Sequence, residues 1–170
     1  VSRRQAVDQQ LRELRRVLLD RLPVPFVPVA GNHDLSTYAS VDPKFGPRAW
    51  RKFWRSNPGH TVPAVRRSDS GQSYRFTHRG VGIAVIGYYG TDGLHTDELA
   101  WVQKHVRPGD LVFRHVNPFG VSCIHSNHCG IAMTDEGVQH YDQLVELLKS
   151  RRVRALFSGH THAFYEGDCD

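Results

Sequence analysis

The stretch Phe26 to Asp34, FVPVAGNHD, decides the fold of this 170-residue chain. Its apolar half ends abruptly at Gly31, and an amide, an imidazole and a carboxylate follow without a spacer. The apolar run predicts a buried strand, and open α/β sheets build their sites at the carboxyl ends of such strands. Glycine permits the sharp turn that must follow. The pattern therefore predicts that Asn32, His33 and Asp34 are carried to a functional site.

Two later units end in the same way, with histidine at the carboxyl end of an apolar strand. One strand is predicted over Leu111 to Arg114, directly before His115. The other is predicted over Val153 to Phe157, shortly before His160 and His162. A single histidine of this kind is usually a satisfied core residue, but three such endings point to a shared site. Imidazole nitrogens and an amide oxygen suit Zn²⁺, Mn²⁺ or iron.

Helices and one hairpin fill the chain between these strands. Apolar residues at three- and four-residue steps predict the helices, and alternation around a short turn predicts the hairpin. The predicted elements are helices at Ser2–Leu22, around the aromatic residues Trp50, Phe53 and Trp54, at Thr96 to about Val106 and at about Glu136–Ser150, and a hairpin of Ser73–His78 and Val81–Tyr89 that turns at Arg79-Gly80.

Composition predicts a single domain over residues 1–170, with 39% hydrophobic and 23% charged residues. The longest apolar candidate, Val81 to Tyr89, is far shorter than the ~18 residues of a membrane span. No leader peptide is visible. We therefore expect a soluble protein and favour a cytoplasmic location, although Cys123, Cys129 and Cys169 leave the redox compartment open.

The net charge is +5, and most of the cationic residues are arginines that form doublets scattered along the chain. Such doublets usually lie on a solvated surface. Nucleic acid is a possible partner, but it is not favoured, because the aromatic residues are expected in helix and strand cores and not among the arginines. The doublets are Arg3-Arg4, Arg15-Arg16, Arg66-Arg67 and Arg151-Arg152.

Taken together, the three strand endings resemble the motifs of the calcineurin-like metallophosphoesterases. That family has GNH[DE], a strand that ends in His, and GHxH, and here these stand in the same order at residues 31–34, 112–115 and 159–162. The resemblance implies an α/β fold, a four-layer α/β/β/α sandwich with a dinuclear metal centre at the strand ends. It also implies hydrolysis of phosphate esters on a phosphorylated substrate, with a metal-bound hydroxide as the nucleophile.

The resemblance further implies a set of metal ligands. Asn32, His115 and His160 would bind one divalent ion, and His162 would bind the second, with Mn, Fe or Zn as the candidates. A metal pair some ~3.5–4 Å apart is how many phosphatases and nucleases hold the attacking and leaving oxygens. A nuclease of the same family is therefore an alternative, and a catalytically dead interaction or nucleic-acid-binding domain is another.

Two further residues would act on the substrate according to the same resemblance. His33 is similar to the family histidine that holds the substrate phosphate and protonates the leaving oxygen, and Asp34 would orient the imidazole of His33. That role fits the chemistry, because an alkoxide leaving group needs a proton near neutral pH.

The family's first two motifs, D-x-H or D-x-G and then G-D, are missing ahead of the first predicted helix. Three later sequences match the missing motifs in part, but all three follow GNHD and are expected to be turns. They are Gly109-Asp110, Gly167-Asp168 and Asp69-Ser70-Gly71. We therefore expect a fragment that is incomplete at its amino terminus and at its carboxyl terminus. Such a chain should bind at most one metal ion and should be a poor catalyst.

A long irregular segment, Val116 to Asp135, separates the second and third strand endings. Its histidines and cysteines could bind a structural zinc ion, but adjacent His128-Cys129 fits the usual ligand spacing poorly. A loop that covers the substrate, or a mobile surface loop, is the favoured interpretation. The candidate zinc ligands are Cys123, His125, His128 and Cys129.

Overall fold

One five-stranded sheet, in the order β1-β2-β3-β4-β5, organises the structure. The computed structural model describes residues 3–31, 34, 45–56, 66–69, 71–87, 96–116 and 135–159. The strands are β1 Arg66–Arg67, β2 Tyr74–His78, β3 Val81–Ile86, β4 Leu111–Val116 and β5 Ala155–Gly159. The helices are α1 Arg3–Val17, α2 Phe45–Arg55, α3 Thr96–His105 and α4 Asp135–Ser150, with a 3₁₀ turn at Leu19–Arg21. The predicted α/β class is confirmed, and the described residues contain one sheet of the expected sandwich.

Strands β2 and β3 form the predicted hairpin, with Tyr74 paired to Val85 and His78 to Val81. Arg79 and Gly80 join them with φ angles of 48° and 81°. Positive φ at both turn positions is typical of the tight turns whose twist matches that of the flanking strands. Strand β3 lies in the centre of the sheet.

Strands β3, β4 and β5 are parallel, and α3 and α4 connect them across one face of the sheet. Both helices begin and end within one residue of their predicted bounds. Their inward side chains pack on the central strands in one apolar cluster. Because parallel strands run in register, the carboxyl ends of β3, β4 and β5 meet at one edge of the sheet. The cluster contains Ala84, Ile86, Trp101, Val102, Val106, Val112, Leu144 and Leu148.

The stretch that precedes Gly31 lies on the other face of the sheet. Val27 and Val29 pack against a second apolar cluster that includes Tyr74, and the Tyr74 hydroxyl donates to the Pro28 carbonyl at 2.6 Å. Burial raises the pKa of the Tyr74 hydroxyl well above its ordinary value, so the group stays protonated and remains a donor. Ala30 is 1% exposed. The predicted burial of this stretch is confirmed.

The prediction that this stretch forms a regular strand is wrong. Phe26 makes a single β-bridge, and residues 27–30 are extended without a strand ladder. Two features explain this: Pro25 and Pro28 have no N–H to donate, and the Pro28 carbonyl is already bonded to the distant Tyr74 side chain. An apolar run alone does not distinguish a paired strand from an extended segment that is held by side chains.

Helix α1 is shorter than predicted, because it ends at Val17 and a 3₁₀ turn follows. The tighter turn rotates the chain, so that Leu19 is the buried leucine with 1% exposure. Leu22, the last residue of the predicted helix, is 36% exposed. Within the described ranges, no helix is long and apolar enough to cross a membrane.

The aromatic residues of α2 form core packing, as predicted. Trp54 is 8% exposed, and its ring stacks on Phe26 at a centroid distance of 5.8 Å. Phe53 and Trp50 meet the Trp54 ring edge-on at 5.0 and 5.5 Å. Helix α2 therefore holds the start of the Phe26 stretch in place.

Candidate functional site

Three residues from distant parts of the chain meet at the carboxyl edge of the sheet, namely Gly31, His115 and Gly159. An alanine methyl group at Gly31 would lie 2.9 Å from both Cε1 and Nδ1 of His115. The same group at Gly159 would lie 3.8 Å from the His115 carbonyl oxygen. The backbone of Gly31 thus lies directly against the imidazole, and the start of the GHTH motif lies beside the same residue. Each of the three segments singled out in the sequence thus has a described residue at this place, namely Gly31, His115 and Gly159.

His115 is part of β4, which is longer than predicted. The strand continues through His115 to Val116, and its register against β5 shifts between Phe113 and Val116. Such irregularities re-aim a side chain next to many sites. His115 is partly buried and shares a strand face with Phe113, whose ring stacks on Phe157 at 4.8 Å.

Asp34 closes the turn that begins at Gly31. Its Oδ2 accepts a hydrogen bond from the Gly31 N–H at 2.8 Å, and its own N–H donates to the Gly31 carbonyl at 3.1 Å. A short side chain that bonds to nearby backbone in this way stabilises a tight turn. The carboxylate thus has a backbone role that the sequence analysis did not assign. The spacing GxxD was the available signal.

The other predicted site residues lie outside the described residues. These are Asn32, His33, His160 and His162, together with the candidate zinc ligands at 123, 125, 128 and 129. Their predicted roles stay predictions. In the segments that the structure describes, no group of three or more histidine, cysteine, aspartate or glutamate side chains could hold a metal ion. His115 is the one predicted ligand with a described position.

A buried polar cluster lies at the same edge of the sheet, and the sequence analysis missed it. The hydroxyl of Ser73, just before β2, donates a hydrogen bond to the carboxylate of Glu98 in the first turn of α3. The same hydroxyl accepts a hydrogen bond from the Gly87 N–H at 2.9 Å. Glu98 is 1% exposed, and Arg114, next to His115 on β4, is 2% exposed. In the sequence, Glu98 looks like an ordinary acidic residue at a helix start, where such residues are common. The cluster fastens the carboxyl end of β3 to α3 beside His115.

Gly109-Asp110, which imitates a missing motif, is a structural turn, as predicted. Gly109 has a φ of 79°, and Asp110 is 2% exposed. The Asp110 carboxylate accepts bonds of 2.8 and 2.7 Å from Arg75 and one of 2.9 Å from the Arg107 N–H. The hydrogen bond to Asp110 raises the pKa of Arg75 above its ordinary value. Asp110 precedes β4, about 17 Å along the strand from His115, so it takes no part in the candidate site.

The other two sequences that match the missing motifs lie partly or wholly outside the described residues. Asp69 and Gly71 stand in a turn in which the Gly71 N–H donates to the Ser68 carbonyl at 2.9 Å, and Ser70 lies outside the described residues. Gly167-Asp168 also lies outside them. The Asp69 turn is therefore local structure, and the status of the last pair stays a prediction.

Comparisons with known proteins agree with the geometry. The family model of the calcineurin-like phosphoesterases matches residues 3–164. A curated relative, purple acid phosphatase 22 of Arabidopsis thaliana, is 25% identical over 143 residues, which is 82% of this chain and 31% of that protein. The chain therefore spans about a third of the length of this relative. No solved structure matches the chain significantly.

Proposed function

Because this chain belongs to the calcineurin-like phosphoesterase family, we propose that it contributes a site for metal-dependent hydrolysis of phosphate esters. One observation carries the proposal, namely the convergence of Gly31 and Gly159 on His115. GNHD begins at the first of these glycines and GHTH at the second, so the described backbone supports a common site for the three motifs.

The donor chemistry fits a divalent metal ion. We infer that Asn32, His115 and His160 bind one ion and that His162 belongs to a second position, with Mn, Fe or Zn as the metal. His115 is partly buried, and Gly31 has no side chain that would take up space at the imidazole. A bound ion would polarise the phosphate and lower the pKa of a water molecule. Imidazole and amide ligands are those that these borderline metals prefer.

The residues of the chain have distinct tasks in this proposal. His33 donates a proton to the leaving oxygen, a contribution of ~10²–10⁴-fold in rate for a general acid. Asp34, the residue after His33 in the sequence, is held to Gly31 by two hydrogen bonds. The Ser73–Glu98 contact keeps the edge of the sheet rigid beside His115. Misplacement by ~1 Å at such a site costs up to ~10²-fold in rate.

The ligand set also predicts how many ions bind. None of the four proposed ligands is a carboxylate that could bridge two cations and offset their repulsion. We therefore expect the 170-residue chain to bind at most one ion tightly and to turn over slowly. Equilibrium dialysis against Mn²⁺ and Zn²⁺ measures the number. Two tightly bound ions would show that a carboxylate outside the proposed set completes the site.

Three histidine variants separate the roles of ligand and acid. His115→Ala should lose the metal ion and the activity, while His33→Gln should keep the metal ion and lose turnover. His78→Ala is the matched control, because His78 is exposed at the opposite end of the sheet. Metal content and hydrolysis of aryl phosphate mono- and diesters are measured on each protein. Equal metal loss in the His33 and His115 variants would refute the assignment of His33, and no turnover of any ester by the wild type would refute the enzyme proposal.

A further inference from the structure

A cluster of cationic side chains lies at the edge of the sheet opposite His115, where β3, β4 and β5 begin. We call this surface the basic end. Five of its members are exposed, namely Arg66, Lys104, Arg107, Arg152 and Arg154. Arginine doublets that are far apart in the sequence contribute to it. Its defining residues are Arg66, Arg75, Lys104, Arg107, Arg152 and Arg154.

Backbone pairing brings the first of these residues together. Arg66 on β1 lies directly opposite Arg75 on β2 in the antiparallel register. Like charges at such positions repel each other, so a counter-charge is needed. Asp110 supplies it for Arg75 with two hydrogen bonds. Arg107 joins the same cluster, because its N–H also bonds to the Asp110 carboxylate.

The turn before β5 adds the remaining arginines. The Gly109 N–H donates to the Arg152 carbonyl at 3.0 Å, and the Arg154 N–H donates to the Asp110 carbonyl at 2.8 Å. These bonds use only backbone atoms of Arg152 and Arg154, and both residues are exposed. The turns that begin β4 and β5 therefore present their arginines side by side.

Among the described residues, Asp110 is the acidic residue that lies within the basic end. Asp110 is 2% exposed, and its oxygens already hold Arg75 and the Arg107 N–H. The other acidic residues of the described segments lie on α1 and its 3₁₀ turn, toward the opposite edge, or on α4, where Glu146 is one turn from the helix end that leads into this surface. Helix α1 differs, because Arg16 is paired there with Glu13 at 2.7 Å.

The positive charges of the basic end act together on the side chain of His105. It follows Lys104 at the end of α3, and its ring lies 5.2 Å from that of Trp101. Burial, and then the positive charges of Lys104, Arg66 and Arg107, lower the pKa of His105 below its ordinary value. Charges from two separate segments of the chain, β1 and the end of α3, therefore act on the His105 ring.

We propose that the basic end binds the phosphate backbone of double-stranded nucleic acid, at a surface separate from the phosphoesterase site. Guanidinium groups match phosphate geometry, and a basic sequence pI with clustered arginine is the electrostatic signature of such proteins. The pI here is about 9.4. The two surfaces lie at opposite ends of β4, about 17 Å apart along the strand, so a duplex at one leaves the other open.

The composition of the surface selects the duplex over other polyanions. Base stacking on single strands needs exposed aromatic rings, and membrane binding needs exposed apolar side chains. The exposed large hydrophobic residues of the described segments lie elsewhere, on or just after α1 and at Phe157 in β5. Arginine contacts to phosphates alone are sufficient for duplex binding that is independent of sequence and sensitive to salt.

Fluorescence anisotropy with a labelled 20-base-pair DNA duplex, in EDTA to prevent hydrolysis, tests the proposal. We expect the logarithm of the binding constant to fall linearly with log[salt]. The slope should be about −3 to −5, the value for three to five neutralised phosphates. Arg107→Glu/Arg154→Glu should weaken binding at least ~10-fold and make the slope shallower by ~2. The control is Arg12→Glu/Arg21→Glu, which changes the net charge equally at two exposed sites on α1 and its 3₁₀ turn. It should change affinity by less than ~2-fold. Circular dichroism checks the fold of both variants.

Three outcomes would overturn the proposal. Equal loss in both variants would show that net charge alone governs binding. An unchanged Arg107/Arg154 variant would place the duplex on another surface. Tighter binding to a single strand, or to vesicles that contain phosphatidylserine, would assign the surface to a different partner. Because the assay excludes metal, its result is independent of the proposed hydrolysis.

Discussion

Replacing Gly31 with alanine tests whether the backbone of Gly31 lies against the imidazole of His115. The candidate site depends on this contact. The added methyl group would lie 2.9 Å from Cε1 and Nδ1 of His115. This is ~0.6–1.1 Å inside the normal separation of carbon atoms. Overpacking of this kind costs ~1–3 kcal/mol. Alanine also stabilises by ~0.4–1 kcal/mol through the unfolded chain, because the backbone φ of Gly31 is not in the left-handed region.

Gly159→Ala is the matched control, because the same substitution there meets its nearest atom, the His115 carbonyl oxygen, at 3.8 Å. That distance is ordinary contact, so only the unfolded-state gain should remain. The two variants share that gain, and the difference between them isolates the clash. Gly31→Ala should therefore be less stable than Gly159→Ala by ~1–3 kcal/mol. Urea unfolding followed by circular dichroism measures both free energies.

A double-mutant cycle with His115→Ala makes the test specific to the imidazole. With the ring removed, the methyl group at position 31 has space, and Gly31→Ala should become neutral or stabilising by up to ~1 kcal/mol. If Gly31→Ala costs the same free energy with and without the His115 ring, the two residues are not in contact and do not share a site.

Three further predictions concern Asp34, Asp110 and His105. Asp34→Ala should destabilise by ~0.5–2 kcal/mol through loss of the bond to the Gly31 N–H, whereas Asp34→Asn keeps an acceptor and should lose less than half of that; equal losses in urea unfolding would contradict the role. Asp110→Ala should destabilise by ~3 kcal/mol, because Arg75, only 20% exposed, loses its partner, and a loss below ~1 kcal/mol would show that the pair is not structural. The folded-state pKa of His105 lies below its ordinary 6.5, so stability should fall as pH drops through 6.5, and His105→Gln should flatten the unfolding free energy between about pH 5 and 7. An unchanged slope in that variant would exclude His105 as a source of the pH dependence.

The local elements of this protein follow from its sequence. Alternation and a two-residue turn predicted the β2–β3 hairpin, and apolar spacing predicted α3 and α4 within one residue of their bounds. These patterns succeed because hydrogen bonding and amphipathic burial in such elements depend on residues a few positions apart. The order of the motifs also indicated the family, which the family model confirms over residues 3–164.

The contacts between distant segments depend on the tertiary structure. Whether residues 27–30 pair as a strand depends on the hydroxyl of Tyr74, more than forty positions away, which bonds to the Pro28 carbonyl. Only the fold shows that a side chain at position 31 would meet the imidazole of His115.

Charge shows the same division between sequence and structure. The sequence scatters the arginine doublets, but the β1–β2 register and the turns before β4 and β5 gather arginines from two of them around the buried carboxylate of Asp110. Electrostatic and steric energies depend on distance in space, which spacing along the chain does not specify once strands from different parts of the sequence pair.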